Sequence, residues 1–174
     1  MADITGLSTR AAIITDAAAI ATIYNEGIAD RMATFETEPR SAGQIADCFT
    51  GRQLVIVAET EKKGPVAFAA SFPYSDRPCY SGIGEFSVYV RRNYRGRGAG
   101  HTVLAALIEA ATFAGLYKLT SRVFPETLAS RALLTRLGFE EIGPHRRHGK
   151  LDGRWRDCVI VERLLDTRGA EDQG

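Results

Sequence analysis

Apolar residues recur along this chain at two spacings, which predict helices in some segments and strands in others. From Asp16 to about residue 29, Ile20, Ile23 and Tyr24 recur at helical spacing, and Asp16 is of a residue type that caps helices. Ser41 is placed to cap a second helix. The helices predicted in this way span residues 16–29, 41–52, 98–115 and 127–137, the last ended by Gly138.

Short apolar and β-branched runs predict the strands. The run 54–58 is continuously apolar, as in a buried strand, and a turn at 61–64 leads to its returning partner. The predicted strands span residues 10–14, 54–58, 66–72, 85–90, 117–124, 140–148 and 155–163, the last two flanking a turn at 151–153. This order predicts a mixed α/β sheet in one domain and differs from the βα alternation of a doubly wound nucleotide-binding fold.

The composition is that of a globular protein. Of 174 residues, 45% are hydrophobic and 25% charged, and the net charge of +1 provides no overall field to attract nucleic acid or an anionic membrane. The three cysteines form no CxxC pair, and the three histidines lack metal-ligand spacing with them, so no metal site is predicted. Neither a secretory signal nor an apolar run of the roughly 20 residues that span a bilayer is found. We therefore expect a reduced, cytoplasmic protein without a membrane anchor.

The segment 88–100 combines a strand end, a glycine-rich turn and a helix start. The unpaired N–H groups at the start of a helix, with the positive end of the helix dipole behind them, bind phosphate. A P-loop would need a lysine followed by a hydroxyl residue, and neither is present. A dinucleotide-binding turn would need a third glycine at position 101, where His101 stands. The remaining interpretations are another kind of phosphate site and an ordinary strand-to-helix turn.

The spacing Arg95-x-x-Gly98-x-Gly100 resembles the pyrophosphate-binding motif of the GNAT acetyltransferases. The resemblance implies acetyl-coenzyme A as cosubstrate, with its pyrophosphate on backbone N–H groups of residues 97–101 and its pantetheine arm along the main chain of Val88 and Val90. The cofactor-binding residues expected on this basis are Val88, Tyr89, Val90, Arg95, Gly96, Arg97, Gly98, Ala99, Gly100, His101, Thr127 and Ser130.

The resemblance extends over about residues 10–165 and is closest to the phosphinothricin N-acetyltransferase group, whose relatives acetylate methionine sulfoximine or arsinothricin. It is carried by the segments 34–39 (TFETEP), 77–80 (RPCY), 85–90 (EFSVYV) and 149–157 (GKLDGRWRD). It implies a single N-acetyltransferase domain over 1–174 with a polar tail at 166–174, and a mixed, mostly antiparallel sheet of about seven strands flanked by helices. It also implies a small-molecule amine substrate, a role in antibiotic or herbicide resistance, and a homodimer.

The resemblance places the catalytic base at Glu85. A protonated amine cannot attack a thioester, so a positioned base is required, and a carboxylate beside an apolar run would be partly desolvated and better suited to accept a proton. The alternative is a solvent-facing strand carboxylate. The implied mechanism is direct transfer in a ternary complex, with a backbone N–H at Val88 or its neighbour stabilising the carbonyl oxygen. A nucleophilic role for Cys79 is less favoured, since no histidine accompanies it in the sequence.

Substrate contacts are expected from the loops. The resemblance puts Arg77 and Tyr80 at the substrate, and an arginine fork suits a carboxylate, phosphinate or arsinate. Phe35, and more weakly Glu36, are further candidates, although Phe35 is equally explained as a core residue. A basic stretch at 145–150 is interpreted as a solvated strand face or as a contact for an anionic substrate or second subunit, and strand alternation would separate His145 from His148.

Two positions depart from the pattern of the family. Many GNAT enzymes have an asparagine where this chain has Thr127, with Ser130 three residues on, and both can still donate hydrogen bonds. Many also have a tyrosine four residues before a Gly-Phe pair, which protonates the departing thiolate. The corresponding residue here is Leu134, so the general acid is left unassigned.

Two other functions are consistent with these features. One is a GNAT enzyme that acetylates a protein N-terminus or a lysine, which would need an open peptide groove. The other is a non-catalytic sensor that binds acyl-coenzyme A, which the presence of Glu85 disfavours. A nucleic-acid-binding module is disfavoured by the near-neutral charge.

Overall fold

A seven-stranded sheet forms the centre of the computed structural model, which describes residues 6–51 and 53–166. The strands are β1 Leu7–Ala11, β2 Leu54–Thr60, β3 Gly64–Pro73, β4 Ile83–Val90, β5 Lys118–Val123, β6 Glu140–Leu151 and β7 Arg154–Leu164. The helices are α1 Ala17–Asp30, α2 Ala42–Asp47, α3 Ala99–Phe113 and α4 Leu128–Arg136. The strand order is β1-β2-β3-β4-β5-β7-β6. Among the strands of the described residues only β4 and β5 pair in parallel, which confirms the predicted mixed, mostly antiparallel sheet.

The helices cover the two faces of the sheet unequally. The apolar side of α3 (Val103, Leu104, Leu107) is fully buried in the main core, which α4 and one face of β7 complete. On the opposite face α1 packs against β3 and β4 around a second core that includes Ile23, and it does not extend over β7. Leu164, on the β7 side of that face, is therefore 71% exposed. No helix in the described ranges is long and apolar enough to cross a bilayer.

One arginine ties the first strand to its neighbour and to the start of α1. The Arg10 guanidinium on β1 donates to both Glu59 oxygens on β2, at 2.8 and 3.0 Å, and to both Asp16 oxygens, at 2.7 and 3.0 Å. Asp16 is only 7% exposed, and these hydrogen bonds from Arg10 lower the pKa of its carboxyl against the opposing effect of burial. Bidentate, charge-assisted hydrogen bonds of this kind are stronger than hydrogen bonds between neutral groups. The cluster therefore fixes the position of the start of α1 relative to β1 and β2.

The boundaries of the first elements differ from the sequence prediction for local reasons. β1 begins at Leu7 and ends at Ala11, earlier than the predicted 10–14, because the Ile13 N–H turns to donate to Asp16 at 2.8 Å and residues 14–16 form a 3₁₀ turn. Asp16 does precede α1, but its side chain makes no capping bond to that helix.

The predicted second helix is shorter in the structure. Ser41 caps α2 as predicted, accepting the Gln44 N–H at 3.2 Å, but α2 ends at Asp47 and gives way to a 3₁₀ turn, Cys48–Thr50. Of the other sequence expectations, the predicted end of this helix at residue 52 and the tail beyond residue 166 lie outside the described residues.

We predict that Asp16→Asn lowers the free energy of unfolding by about 2 kcal/mol at pH 7, the scale of hydrogen bonds to a charged group. The pKa of Asp16 is lower in the folded state than in the unfolded state. Its ionised carboxyl therefore contributes fully to the free energy of unfolding at pH values above the unfolded-state pKa, and this contribution is lost as the pH falls through the folded-state pKa. Urea denaturation at pH 7 and pH 3 measures both, and Glu61→Gln in the exposed β2–β3 turn is the control. An equal deficit at both pH values would contradict the ionic role of Asp16.

Candidate active site

β4 and β5 separate in the middle of the sheet and leave an opening between them. Their parallel register runs from Ile83–Lys118 to Glu85–Thr120 and ends there. Past that point the Ser121 hydroxyl donates to the Phe86 carbonyl at 2.7 Å. The Val90 carbonyl accepts a hydrogen bond from the side chain of Arg95 at 3.0 Å. Since alternate residues of a strand direct their backbone groups to the same edge, the N–H and C=O of Val88 also face the opening.

The glycine-rich turn lies at the end of β4. Gly98 has φ +87° and serves as the N-cap of α3, a left-handed conformation that other residues adopt only at a cost of roughly 1–2 kcal/mol. The first carbonyl used by the helix is that of Gly98, which accepts the Thr102 N–H at 3.0 Å. The N–H groups of residues 99–101 therefore have no carbonyl within the helix and point out of its positive end. This arrangement can bind an anion.

The turn is held by acidic residues of α1 that sequence reasoning did not identify. Asp30 accepts hydrogen bonds from Arg92 at 2.6 Å and from Arg95 at 2.5 Å, while Glu26 accepts the Arg92 N–H at 2.5 Å. Burial raises the pKa of Asp30, but the two arginines lower it further, so the net direction is down. The side chain of Arg95 thus holds the turn in place, and Arg97 is exposed beside it. The signal in the sequence was an acidic i,i+4 pair at the end of α1.

Thr127 and Ser130, the two coenzyme contacts expected near α4, lie at the start of this helix. The Thr127 hydroxyl donates to the Phe124 carbonyl at 2.5 Å and makes no capping bond to the helix, whereas Ser130 is partly exposed one turn along. Leu134 is 3% exposed in the main core, so the position of the usual tyrosine carries a buried apolar side chain.

A cavity of about 340 Å³ lies beside the β4–β5 opening, on the face that α1 leaves uncovered. Glu85 lines it and forms an ion pair with Arg122 of β5, the two side chains being 35% and 38% exposed. Tyr80 lines it from the β3–β4 loop, where its ring meets that of Tyr74 edge to face. His145 of β6 completes the opposite wall. The structure therefore brings together two carboxylates (Glu85 and Glu162), two phenols and an imidazole.

Arg77 does not line this cavity. Its guanidinium lies 5.6 Å from the centroid of the Tyr80 ring and lines a separate cavity of about 760 Å³ between the β3–β4 loop and the end of α3. The Cys79 thiol is exposed in the same loop. Of the two residues predicted from this loop, only Tyr80 lies with Glu85.

The loop between α1 and α2 crosses to the β6–β7 hairpin. Phe35 packs edge to face on Phe124, with ring centroids 5.1 Å apart, in a small apolar cluster with Leu151 and Cys158. Arg31 forms an ion pair with Asp152 of the hairpin at 3.1 Å. The alternative interpretation of Phe35 as a packing residue thus describes its main contacts. Glu36 was the weaker candidate of this loop, and its carboxylate is paired with Arg40 at 2.5 Å.

The expected alternation of side chains in β6 is wrong between residues 145 and 149. The register with β7 shifts there, and Arg147 has φ +48° while its N–H donates to Asp157 at 2.7 Å. This bulge adds residues to one strand only and redirects side chains. As a result His145 and His148 lie on the same side, with their Nδ1 atoms 3.3 Å apart.

The His148 imidazole is the titratable group of this region whose charge is most clearly disfavoured. Its pKa is lowered by partial burial, then by the positive charges of Arg122 and His145, while Glu85 acts in the opposite direction. The nearby Cys158 thiol is buried, which raises its pKa and keeps it protonated. The pKa of His148 therefore depends on the charges of Arg122 and Glu85, and the expected strand alternation had separated this residue from His145.

A family of proteins matches most of this chain. The sequence profile described as the acetyltransferase (GNAT) family matches residues 20–139, which include β4, the glycine-rich turn and α3. This stretch contains both the base candidate and the anion-binding turn described above.

Individual relatives agree with that match. The L-methionine sulfoximine/L-methionine sulfone acetyltransferase of Pseudomonas paraeruginosa is 35% identical over 94% of this chain and 98% of its own length. The phosphinothricin N-acetyltransferase of Streptomyces coelicolor is 28% identical over 82% of this chain and 87% of its own. Among solved structures, a GNAT superfamily phosphinothricin acetyltransferase from Sinorhizobium meliloti in complex with acetyl-coenzyme A superposes with a TM-score of 0.86 at 28% identity, covering 92% of this chain and 89% of that one.

We predict that Arg122→Gln raises the pKa of His148, because the substitution removes a nearby positive charge. NMR titration of the histidine ring protons measures this, with His148 of the unsubstituted protein titrating below the ordinary value of 6.5. Arg154→Gln, an exposed change in the β6–β7 hairpin, is the control. A lower pKa of His148 in Arg122→Gln would contradict this prediction. It would mean that Glu85, once released from its ion pair, no longer raises the pKa of His148 as the structure indicates.

Proposed function

Since this chain belongs to the GNAT acetyltransferase family, we propose that it acetylates the α-amino group of a small amino-acid-like substrate with a tetrahedral polar head group. It is an N-acetyltransferase that uses acetyl-coenzyme A as cosubstrate. The candidate substrates are phosphinothricin, methionine sulfoximine and arsinothricin, and acetylating such compounds would confer resistance to them. The observation that carries the proposal is the position of Glu85, at the base of the β4–β5 opening and on the wall of a small cavity.

The glycine-rich turn fits the phosphate groups of acetyl-coenzyme A. The N–H groups at the start of α3 point outward, and Gly98 supplies the left-handed turn that exposes them. Residues 96–101 would hold the pyrophosphate, and the main chain of Val88 and Val90 would pair with the pantetheine arm along the open edge of β4. Bound there, acetyl-coenzyme A supplies an activated acetyl thioester.

Glu85 is proposed as the base that takes the proton of the substrate ammonium, directly or through a water molecule. Arg122 donates to Oε1 of Glu85, which leaves Oε2 to accept that proton. The same ion pair orients the carboxylate toward the cavity. A base within hydrogen-bond reach of the amine is worth roughly 10²–10⁴ in rate.

The Val88 N–H is proposed to stabilise the negative charge that develops on the thioester carbonyl oxygen. It faces the opening three residues beyond Glu85, so both groups serve one reaction centre. With Leu134 buried, this chain has no tyrosine at the position that usually protonates the thiolate, and solvent water in the opening is the simplest proton source.

The wall of the cavity formed by the β3–β4 loop is proposed to contact the substrate. Tyr80 lines the cavity, and Arg77 would act through its stacking on the Tyr80 ring, as a positioning residue. The volume of about 340 Å³ suits an amino acid better than the peptide groove that a protein substrate would need. The expected homodimer and cytoplasmic location stay predictions.

We predict that Glu85→Gln lowers kcat by 10²-fold or more while leaving the Kd of acetyl-coenzyme A unchanged, because it removes the proton acceptor and keeps the shape of the side chain. Thiol release is followed with the three candidate substrates, ordinary amino acids, polyamines, an aminoglycoside and a peptide N-terminus. Glu162→Gln, which alters another carboxylate lining the cavity, is the matched control. Turnover only with the peptide would contradict the substrate class, and full activity of Glu85→Gln would contradict the base.

We predict that Gly98→Ala weakens acetyl-coenzyme A binding by about tenfold, because the strain of roughly 1–2 kcal/mol at φ +87° is relieved by reshaping the turn. Gly64→Ala is the matched control, since Gly64 also has positive φ but lies in the β2–β3 turn with open space around it. Titration calorimetry compares the two. Equal Kd values for both variants would show that the turn does not bind the cosubstrate.

A further inference from the structure

The fixed charges that line the cavity are already paired across neighbouring strands. Lys118 of β5 binds Glu162 of β7 at 2.9 Å, and Arg122 binds Glu85. These four are the Lys, Arg and Glu side chains of the lining, which also contains His145. An incoming ligand that carries an extra negative charge must therefore break one of these ion pairs or find a positive charge elsewhere.

His145, which lines the cavity, and the adjacent His148 can provide that charge. With Nδ1 atoms 3.3 Å apart, the neutral rings share one hydrogen bond: one ring donates its Nδ1–H and keeps a basic Nε2, and the other accepts at Nδ1 and keeps an Nε2–H. One further proton on the basic Nε2 makes the pair an imidazolium and imidazole with two Nε2–H donors. The pair can thus change from neutral to cationic without a change of backbone.

The backbone around the pair favours this arrangement specifically. Arg147, between the two histidines, adopts φ +48°, which is uncommon for a residue other than glycine, and its N–H is fixed by Asp157. His148 also lies beside the ring of Phe35, whose centroid is 6.5 Å away. The two imidazoles are therefore held next to each other by the bulge and by the loop that crosses from α1.

We propose that the His145–His148 pair recognises an anionic head group of the substrate, taking up one proton from solvent when that head group binds. The inference rests on the proposed function and names a determinant of its specificity. A phosphinate or arsinate carries the charge that the pair would match, whereas the head group of methionine sulfone is neutral. The proton balance is simple: one proton enters with the anion and leaves with it.

The surroundings of the pair explain why the proton would come with the ligand. Arg122 on β5 disfavours the cationic form, Glu85 on β4 partly offsets it, the protonated thiol of Cys158 faces it from β7, and Phe35 contributes only an apolar ring. Desolvation and these charges lower the pKa of His148 below its ordinary value, so the neutral form of its ring is favoured before a ligand binds. A bound anion reverses the balance of charge.

A pH dependence of KM that differs between substrates tests the proposal. For phosphinothricin, KM should rise by up to tenfold per pH unit between the pKa of the free pair and the higher pKa of the ligand-bound pair, because over that range each binding event takes up one proton. For methionine sulfone, which shares the amino and carboxylate groups, KM should not show this additional rise. The change in the ratio of the two KM values between pH 5.5 and 8.5 therefore reports the effect of the head group alone.

Variants of the pair sharpen the test. His148→Gln and His145→Gln should each raise the KM for phosphinothricin about tenfold at pH 6.5, remove the pH dependence of the ratio, and change the KM for methionine sulfone less than twofold. Arg146→Gln, the exposed neighbour, is the control for general loss of positive charge. A fall in kcat with both substrates at unchanged KM would show instead that the histidines act on the amine proton, and it would overturn the proposal.

Calorimetry separates this inference from the proposed function. Phosphinothricin is titrated into the complete protein with acetyl-coenzyme A replaced by coenzyme A, in two buffers of different ionisation enthalpy. We expect uptake of a substantial fraction of one proton, absent in His148→Gln. Two results would overturn the role of the pair and leave the acetyltransferase function intact. One is binding of phosphinothricin without proton uptake, and the other is normal turnover of methionine sulfone with a ratio of the two KM values that does not change with pH. Absence of turnover with every amine would instead refute the proposed function.

Discussion

The candidate site depends on the point at which β4 and β5 stop pairing. Two parallel strands side by side would satisfy each other's backbone groups and leave no room for a ligand, but here the register ends at Glu85–Thr120. Beyond it the edge of β4 is open while its other edge stays paired with β3, so the strand remains rigid. One strand thereby presents a carboxylate at the base of the opening, backbone donors along it and, at its end, the glycine-rich turn with outward-facing N–H groups.

Charge pairing keeps this opening in shape. Asp30 holds the arginines of the glycine-rich turn, Arg10 clamps the start of α1 to β1 and β2, and Arg31 joins the loop after α1 to the β6–β7 hairpin. Exposed ion pairs contribute little to stability one at a time. Their effect here is positional, since they join separate elements of the fold: α1 to the glycine-rich turn, β1 to β2, and the loop after α1 to the β6–β7 hairpin.

Much of the fold could be predicted because the signals were local. The buried run at 54–58, the stripe of α3 and the stop at Gly138 are each contained within a few residues, and the elements they predicted are present. The predictions that did not hold depended on hydrogen bonds that the pattern of apolar residues does not indicate. β1 ended early because Ile13 bonds to Asp16, and the alternation in β6 was lost because Arg147 bonds to Asp157 on another strand.

By itself the sequence determined most of the helices and strands and a glycine-rich turn between a strand and a helix, because these follow from residue type and short spacing, which act through local backbone geometry. The catalytic role of Glu85 was implied by the resemblance to the GNAT enzymes and stays a proposal. Only the tertiary structure decided which side chains share the cavity. It pairs Glu85 with Arg122, places Arg77 against the Tyr80 ring and brings His145 next to His148. Strand pairing and a bulge set these distances between side chains, and separation along the chain does not specify them.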